Sequence, residues 1–304
     1  DNDYLATLVE TSDAWIRERT GIVKRHLARE ETTTSLAAGA ARKALADAGM
    51  KAEELDLLMV ATITPDTDTP STACRVQAEL GAVNAVAFDV SAACAGFLYG
   101  LHIADAFIKS GIYKKILLIG AETLSKLVDW TDRGTCILFG DGAGAAVLTA
   151  ASEGGVIAQS VGSNGSKWEV LFCMGRPNRN PLCEGMEEAG YLQMQGQEVF
   201  KFAVKTVPAC IENVLKEAGL KADEIDGYLL HQANQRIIQA VAKRLKQPEE
   251  KFPMNIDQCA NTSSASLPIL LAQMKEQGRL HPGDKLVLSG FGAGLTWGAC
   301  VMEW

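Results

Sequence analysis

The chain repeats itself, and this limits its architecture more than any single motif. Residues 44–61 (ALADAGMKAEELDLLMVA) align with residues 214–231 (VLKEAGLKADEIDGYLLH) at an offset of 170, with seven of 18 positions identical. Both segments read as a helix end, a capping glycine, a short acidic turn and a buried strand. The apolar strands KKILLIG (114–120) and DKLVLSG (284–290) repeat at the same offset. Two 18-residue amphipathic stretches ending in glycine, 94–111 and 261–278, pair at an offset of 167. Gly-rich turns leading into apolar strands near 140 and near 292 complete the series. Four pairs in one order predict an α/β protein made of two copies of a strand–helix unit, each a mixed or parallel sheet with helices on both faces. The turn-rich stretch ASEGG (151–155) divides them into 1–155 and 156–304. In this reading Cys94 and Asn261 open equivalent helices whose starts face each other across a pseudo-twofold axis.

Composition narrows the function classes. A net charge of -8 argues against a nucleic-acid binder that works by neutralising phosphates. No run of 18 apolar residues marks a membrane span, and DNDYLATLVE at the start lacks the pattern of a signal peptide. The eight cysteines form no CxxC and no zinc-finger spacing, which predicts a reduced, cytoplasmic chain without a metal site rather than a disulfide scaffold.

Three residues stand where chemistry is accessible. Cys94 follows the buried strand at 85–90 and a run of small residues, and a helix comes after it. A nucleophile at a strand-to-helix turn is exposed among neighbours small enough to admit substrate. The helix start is expected to lower its pKa. His231 ends the buried strand at 228–230, and ligands in open α/β sheets bind at such strand ends. Asn261 lies in CANTSSAS. The residues alone leave open a core cysteine, a structural histidine and a helix N-cap asparagine. The stretch FGDGAGAAV (139–147) lacks the lysine and spacing of a phosphate loop and reads as a tight turn. In SGFGAGLTWG (289–298), backbone N–H groups have room to reach a substrate oxygen.

At these positions the chain resembles the β-ketoacyl-[acyl-carrier-protein] synthase III family, which starts type II fatty-acid synthesis. The matching motifs span the chain: TSDAWIRERTGI (11–22), DVSAACAGF (89–97), TDRGT (131–135), FGDGAGAAVL (139–148), HQANQRI (231–237), NTSSAS (261–266) and GFGAGLTWG (290–298). The resemblance implies a duplicated thiolase fold, layered α-β-α-β-α, in a homodimer. It places a catalytic triad on Cys94, His231 and Asn261. Coenzyme A contacts fall on Thr11, Trp15, Arg19 and Arg133, and a pantetheine tunnel on Gly196, Phe200 and Asn234. Trp15 and the arginines suit adenine stacking and phosphate pairing, although a tryptophan anchoring a surface helix reads the same way. Thr69 matches a position that gates the acyl pocket, where a small residue admits longer or branched chains. Two departures stand out. The chain begins inside the family pattern, so the strand that usually opens it is expected before Asp1. Ala293 stands where many members have glycine, which leaves the turn less freedom.

The implied reaction is a decarboxylative Claisen condensation in two half-reactions, with no cofactor beyond the coenzyme A thioester substrate and no metal. Cys94 takes an acyl group from acyl-CoA, and the backbone N–H groups of Cys94 and Ala293 hold the oxyanion. Malonyl-acyl-carrier protein then enters, and Phe291 lines an apolar pocket for its carboxylate. His231 and Asn261 stabilise the enolate left by loss of CO2. Lys201, Lys205, Arg236, Lys243 and Arg244 are the expected basic docking patch for the acidic carrier protein, although VAKRLKQ is amphipathic in any case. A synthase III-like acyltransferase of secondary metabolism, or a non-catalytic acyl-CoA or carrier-protein binder, are the rival readings.

Overall fold

The computed structural model describes residues 1–178, 180–183 and 190–304. Its strands are β1 (Leu57–Ala61), β2 (Val86–Val90), β3 (Lys115–Glu122), β4 (Gly142–Thr149), β5 (Gly155–Ser163), β6 (Leu171–Phe172), β7 (Gln193–Met194), β8 (Gly227–Leu230), β9 (Lys285–Gly292) and β10 (Thr296–Glu303). Its helices are α1 (Asn2–Leu5), α2 (Asp13–Thr20), α3 (Thr33–Asp47), α4 (Thr72–Leu80), α5 (Gly96–Ser110), α6 (Arg133–Cys136), α7 (Gly196–Ala218), α8 (Gln235–Leu245), α9 (Ile256–Cys259) and α10 (Ser266–Glu276).

Two four-stranded sheets carry the fold, in the orders β2-β1-β3-β4 and β5-β10-β9-β8. Strand β1 runs parallel to β2 and β3, as β8 does to β9, while β3/β4, β9/β10 and β10/β5 are antiparallel. Strands β1 and β3 and β8 are buried nearly throughout, as sheets covered on both faces require. Helices α3 and α4 cover the outer face of the first sheet with a core rich in alanine, including Ala37, Ala38, Ala41 and Ala73. Helices α7 and α8 cover the second with larger side chains, including Val207, Ile211, Val214 and Ile238. Between the sheets lie α5 and α10, whose Phe97, Leu101, Leu267 and Leu270 join Leu57 and Leu118 of one sheet and Leu229 and Leu288 of the other in one core. Each such fully buried leucine contributes roughly 1.5–3 kcal/mol, so this layer fastens the two sheets together. The arrangement is the expected five-layer α-β-α-β-α stack.

The repeat holds in three dimensions, with one correction to its register. The short turns Ala52–Glu54 and Ala222–Glu224, the strands β1 and β8, and the strands β3 and β9 all recur at 170. The central helices recur at 170 too, not at the 167 read from sequence. Each is entered through a 3₁₀ turn, Ala93–Ala95 and Ser263–Ala265, whose first residue has a positive φ, +48° at Ala93 and +50° at Ser263. The counterpart of Cys94 is therefore Ser264, and neither Cys94 nor Asn261 is the first residue of a helix. The stretch 139–147 is also corrected: from Gly142 onward it is strand β4, not a turn. Its glycines serve packing, since a methyl at 144 would come within 2.6 Å of the Ile269 backbone nitrogen on α10. Among the described residues no helix is long and apolar enough to cross a membrane. All eight cysteines are free thiols.

Candidate active site

Cys94, His231 and Asn261 line one pocket of about 140 Å³, together with Phe291 and Gly292. Three different constructions bring them there. The strained turn after β2 presents Cys94; a non-glycine residue at positive φ, here Ala93, costs about 1–3 kcal/mol and persists only where its surroundings impose it. A methyl at 292 would come within 2.6 Å of the Cys94 backbone nitrogen, so the end of β9 reaches Cys94 only as glycine. His231 continues β8, its N–H donating to the Ser289 carbonyl on β9 at 2.8 Å. Below it Tyr228 stacks on Phe252 at 4.8 Å and donates its hydroxyl to the Ala222 carbonyl, fixing the strand. Asn261 pairs with Phe139 in a parallel bridge, its N–H donating to Leu138 and its carbonyl accepting from Gly140.

The three side chains differ in their electrostatics. Asn261 Oδ1 accepts the N–H of Ser263 at 2.9 Å, which leaves its Nδ2 as the end available to a ligand. His231 is 3% exposed, and burial pushes its pKa down to about 3, so the imidazole is neutral at physiological pH. Its ring meets Phe291 edge-on at 5.7 Å.

The expected low pKa of Cys94 is reversed. Burial pushes the thiol up to about 12; a hydrogen bond with the Ser263 hydroxyl opposes this, and the nearby Glu122 carboxylate adds to it. Desolvation of the thiolate outweighs the field of a short turn and helix start. Alkylation of Cys94 by iodoacetamide, followed by peptide mass mapping, is thus expected to accelerate about tenfold per pH unit from pH 7 to 9 without levelling. A plateau already at neutral pH would show a preformed thiolate.

Glu122 was not anticipated. This carboxylate ends β3, is fully buried, and accepts hydrogen bonds from Thr62, Thr64, Ser263 and Ser264 and from the Ile63 N–H. Burial holds its pKa above the ordinary carboxylate range. A lone acid closing the apolar run KILLIGAE was its only signal in the sequence.

Comparison with known proteins fits this geometry. Residues 88–165 match the family model described as 3-Oxoacyl-[acyl-carrier-protein (ACP)] synthase III, and residues 215–304 match its C-terminal counterpart. A β-ketoacyl-[acyl-carrier-protein] synthase III of Clostridium perfringens (strain SM101 / Type A) is 49% identical over 305 residues, covering all of this chain and 94% of that protein. The chain belongs to the 3-oxoacyl-[acyl-carrier-protein] synthase III family. The synthase III of Clostridium tetani (strain Massachusetts / E88) is 50% identical over 312 residues, covering 100% of this chain and 93% of that one. Among solved structures, the synthase III of Aquifex aeolicus VF5 superposes with a TM-score of 0.93 at 46% identity, covering 100% of this chain and 94% of that one. A priming β-ketosynthase from the R1128 polyketide biosynthetic pathway also reaches 0.93, at 34% identity, covering 100% and 91%.

The other expected residues fall into groups. Gly196, Phe200 and Asn234 line the same pocket as the triad, with Leu171, Met194 and Val199 adding apolar wall that sequence reading missed. Asn234 caps α8 and donates Nδ2 to the Arg19 carbonyl at 3.0 Å, joining the pocket wall to α2. Arg19 and Arg133 both lie against the Trp15 ring, 4.7 and 4.9 Å from its centre. Thr11 Oγ1 is buried without a hydrogen-bond partner among the described residues. Lys201, Lys205, Arg236, Lys243 and Arg244 are all exposed on α7 and α8; Lys201 pairs with Glu198 at 2.8 Å, and Arg236 lies over Phe200 at 5.8 Å. Ala293 is half-buried after Gly292, and the positive φ of its turn falls on Gly294, so the methyl at 293 carries no backbone strain. Thr69 is not brought to the pocket: it is exposed on the loop between β1 and α4.

Proposed function

We propose that this condensing acyltransferase works through an acyl-Cys94 intermediate, with His231 and Asn261 as donors to the enolate of the malonyl thioester. The observation that carries the reading is the convergence of one thiol, one neutral imidazole and one carboxamide on a single pocket, with the carboxamide oxygen already engaged by Ser263. In the first half-reaction Cys94 Sγ bonds to the acyl carbonyl carbon. The C–S bond to coenzyme A breaks, and the thiol proton leaves with the coenzyme A sulfur. The N–H groups of Cys94 and Ala293 hold the oxyanion. In the second half-reaction the malonyl thioester loses CO2. The electrons of the broken C–C bond pass to the thioester oxygen, where His231 and Asn261 donate. The resulting carbanion attacks the acyl carbon, and the Cys94 sulfur departs and takes up a proton. Phe291 keeps water from the malonyl carboxylate, which favours its loss as neutral CO2. Incubating the protein with a labelled short acyl-CoA and reading the intact mass tests the first step: one acyl increment is expected, mapping to Cys94. A protein that binds acyl-CoA without any covalent increment would be the non-catalytic relative.

Trp15, Arg19, Arg133 and Thr11 form the coenzyme A face in this reading, and Gly196, Phe200 and Asn234 the tunnel. Two guanidiniums on one indole supply both the stacking plane and the phosphate partners of a nucleotide. The exposed basic residues of α7 and α8 receive the acidic carrier protein, with Arg236 nearest the pocket through Phe200. Arg236→Glu is expected to raise the KM for malonyl-carrier protein about tenfold at low salt while leaving acylation by acyl-CoA unchanged. An unchanged KM, or an effect insensitive to ionic strength, would move docking elsewhere.

The proposed assembly is a homodimer. Strand β2 is an edge whose outer side has no partner among the described residues, and Val83 and Val86 near it are 75% and 48% exposed. An apolar open edge of this kind is completed by pairing with a second copy. Sedimentation equilibrium reads the state directly; a monomer at micromolar concentration would contradict the assignment. Pairing there would be the route by which Thr69 of one copy reaches the acyl pocket of the other.

A further inference from the structure

We infer that Ser266 is a positioning residue, which holds His231 in the tautomer whose proton sits on Nε2. The inference rests on His231 acting as a donor in the proposed condensation, but the tautomer itself is readable without any activity.

Ser266 opens α10 and is 2% exposed. Its hydroxyl oxygen lies 3.0 Å from His231 Nδ1 and accepts the backbone N–H of Gln232 at 2.8 Å. A hydroxyl has one hydrogen to give and two lone pairs. Were Nδ1 protonated, two N–H groups would converge on Oγ, and the hydroxyl hydrogen would be buried with no acceptor among the described residues. Leaving a buried donor unmade is disfavoured, because the group gives up its water and gets no partner in return. The arrangement that satisfies every group runs Gln232 N–H to Oγ, then O–H to Nδ1. The imidazole proton is then on Nε2, the nitrogen left for the pocket.

The surroundings lock this chain in place. The Gln232 side chain donates to the Leu230 carbonyl at 2.8 Å and accepts the Asn255 N–H at 3.1 Å, so the peptide that feeds Ser266 cannot readily turn. Burial keeps the ring neutral, so a second proton does not erase the distinction between the two nitrogens. Ser266 thus does for His231 what the Ser263 N–H does for Asn261: it occupies the far end of the side chain so that the near end presents a hydrogen. It touches no substrate and acts only through His231.

The test is a ¹H–¹⁵N long-range correlation spectrum of the full chain labelled with [¹⁵N]histidine. Four histidines are present, and His231 is assigned by the cross-peaks lost in His231→Gln. The expected pattern is a protonated Nε2 and an unprotonated Nδ1 for His231. In Ser266→Ala the two tautomers should mix, and condensation should fall about 10- to 100-fold while acylation of Cys94 and the KM for acyl-CoA stay unchanged. Ser266→Thr, which keeps the hydroxyl, should restore both the spectrum and the rate. A protonated Nδ1 in the unsubstituted protein overturns the inference even if no variant folds. So does a Ser266→Ala protein with the His231 pattern and the condensation rate unaltered. Failure to form any acyl-enzyme would instead count against the proposed function, since the spectrum does not depend on it.

Discussion

Cys94→Ala is expected to abolish the acyl increment seen by intact mass and to lower condensation by at least about 10⁴-fold. The expectation follows from the scaffold as much as from the sulfur. The strained turn at Ala93 and the close approach of Gly292 present one atom to the pocket, and the other seven cysteines lie outside its lining. Alanine fits the turn without new strain, since its neighbours at 93 and 95 are already alanine, so the variant should fold and keep its melting temperature. An acyl group still carried at another cysteine of Cys94→Ala would refute the nucleophile assignment.

The second large effect separates the two half-reactions. Asn261→Ala is expected to retain acylation while losing about 100- to 1000-fold in condensation, the usual consequence of removing one preorganised oxyanion donor. Alanine also strips the Ser263 N–H of its acceptor, which would loosen the neighbouring turn. Asn261→Asp removes that ambiguity. It keeps the oxygen that Ser263 needs and, once ionised, replaces the donor with a second acceptor, so it should fail equally at condensation above the pKa of the new carboxyl. Normal turnover in either variant would exclude Asn261 from the enolate site.

Much of this was legible in one dimension, and the failures have identifiable causes. The offset of 170 was plain wherever a strand or a capping glycine marked it, because those residue types are position-specific. It slipped by three at the central helices because two apolar helices aligned at 167 or 170 differ by nearly one turn of 3.6 residues and present almost the same faces. The positive φ values of Ala93 and Ser263, which settle the register, belong to residues that do not advertise them as glycine would. The pKa of Cys94 went wrong for a related reason. A helix start is visible in sequence, but the depth of burial and the approach of Glu122 from a strand 28 residues away are not. Ser266 stood inside a recognised motif, yet its role depends on a hydroxyl meeting a histidine 35 positions earlier, a distance no local pattern spans.

The shared register of the two turns sets Glu122 and Gly292 at matching strand ends, each against the elbow of the other copy, Ser264 and Cys94. On one side a carboxylate reaches out to the hydroxyls of the turn; on the other, the absent side chain lets the strand backbone close directly on the Cys94 nitrogen. Two copies of one plan thus part company at their elbows, where what the last residue of a strand does or does not carry decides what meets the turn.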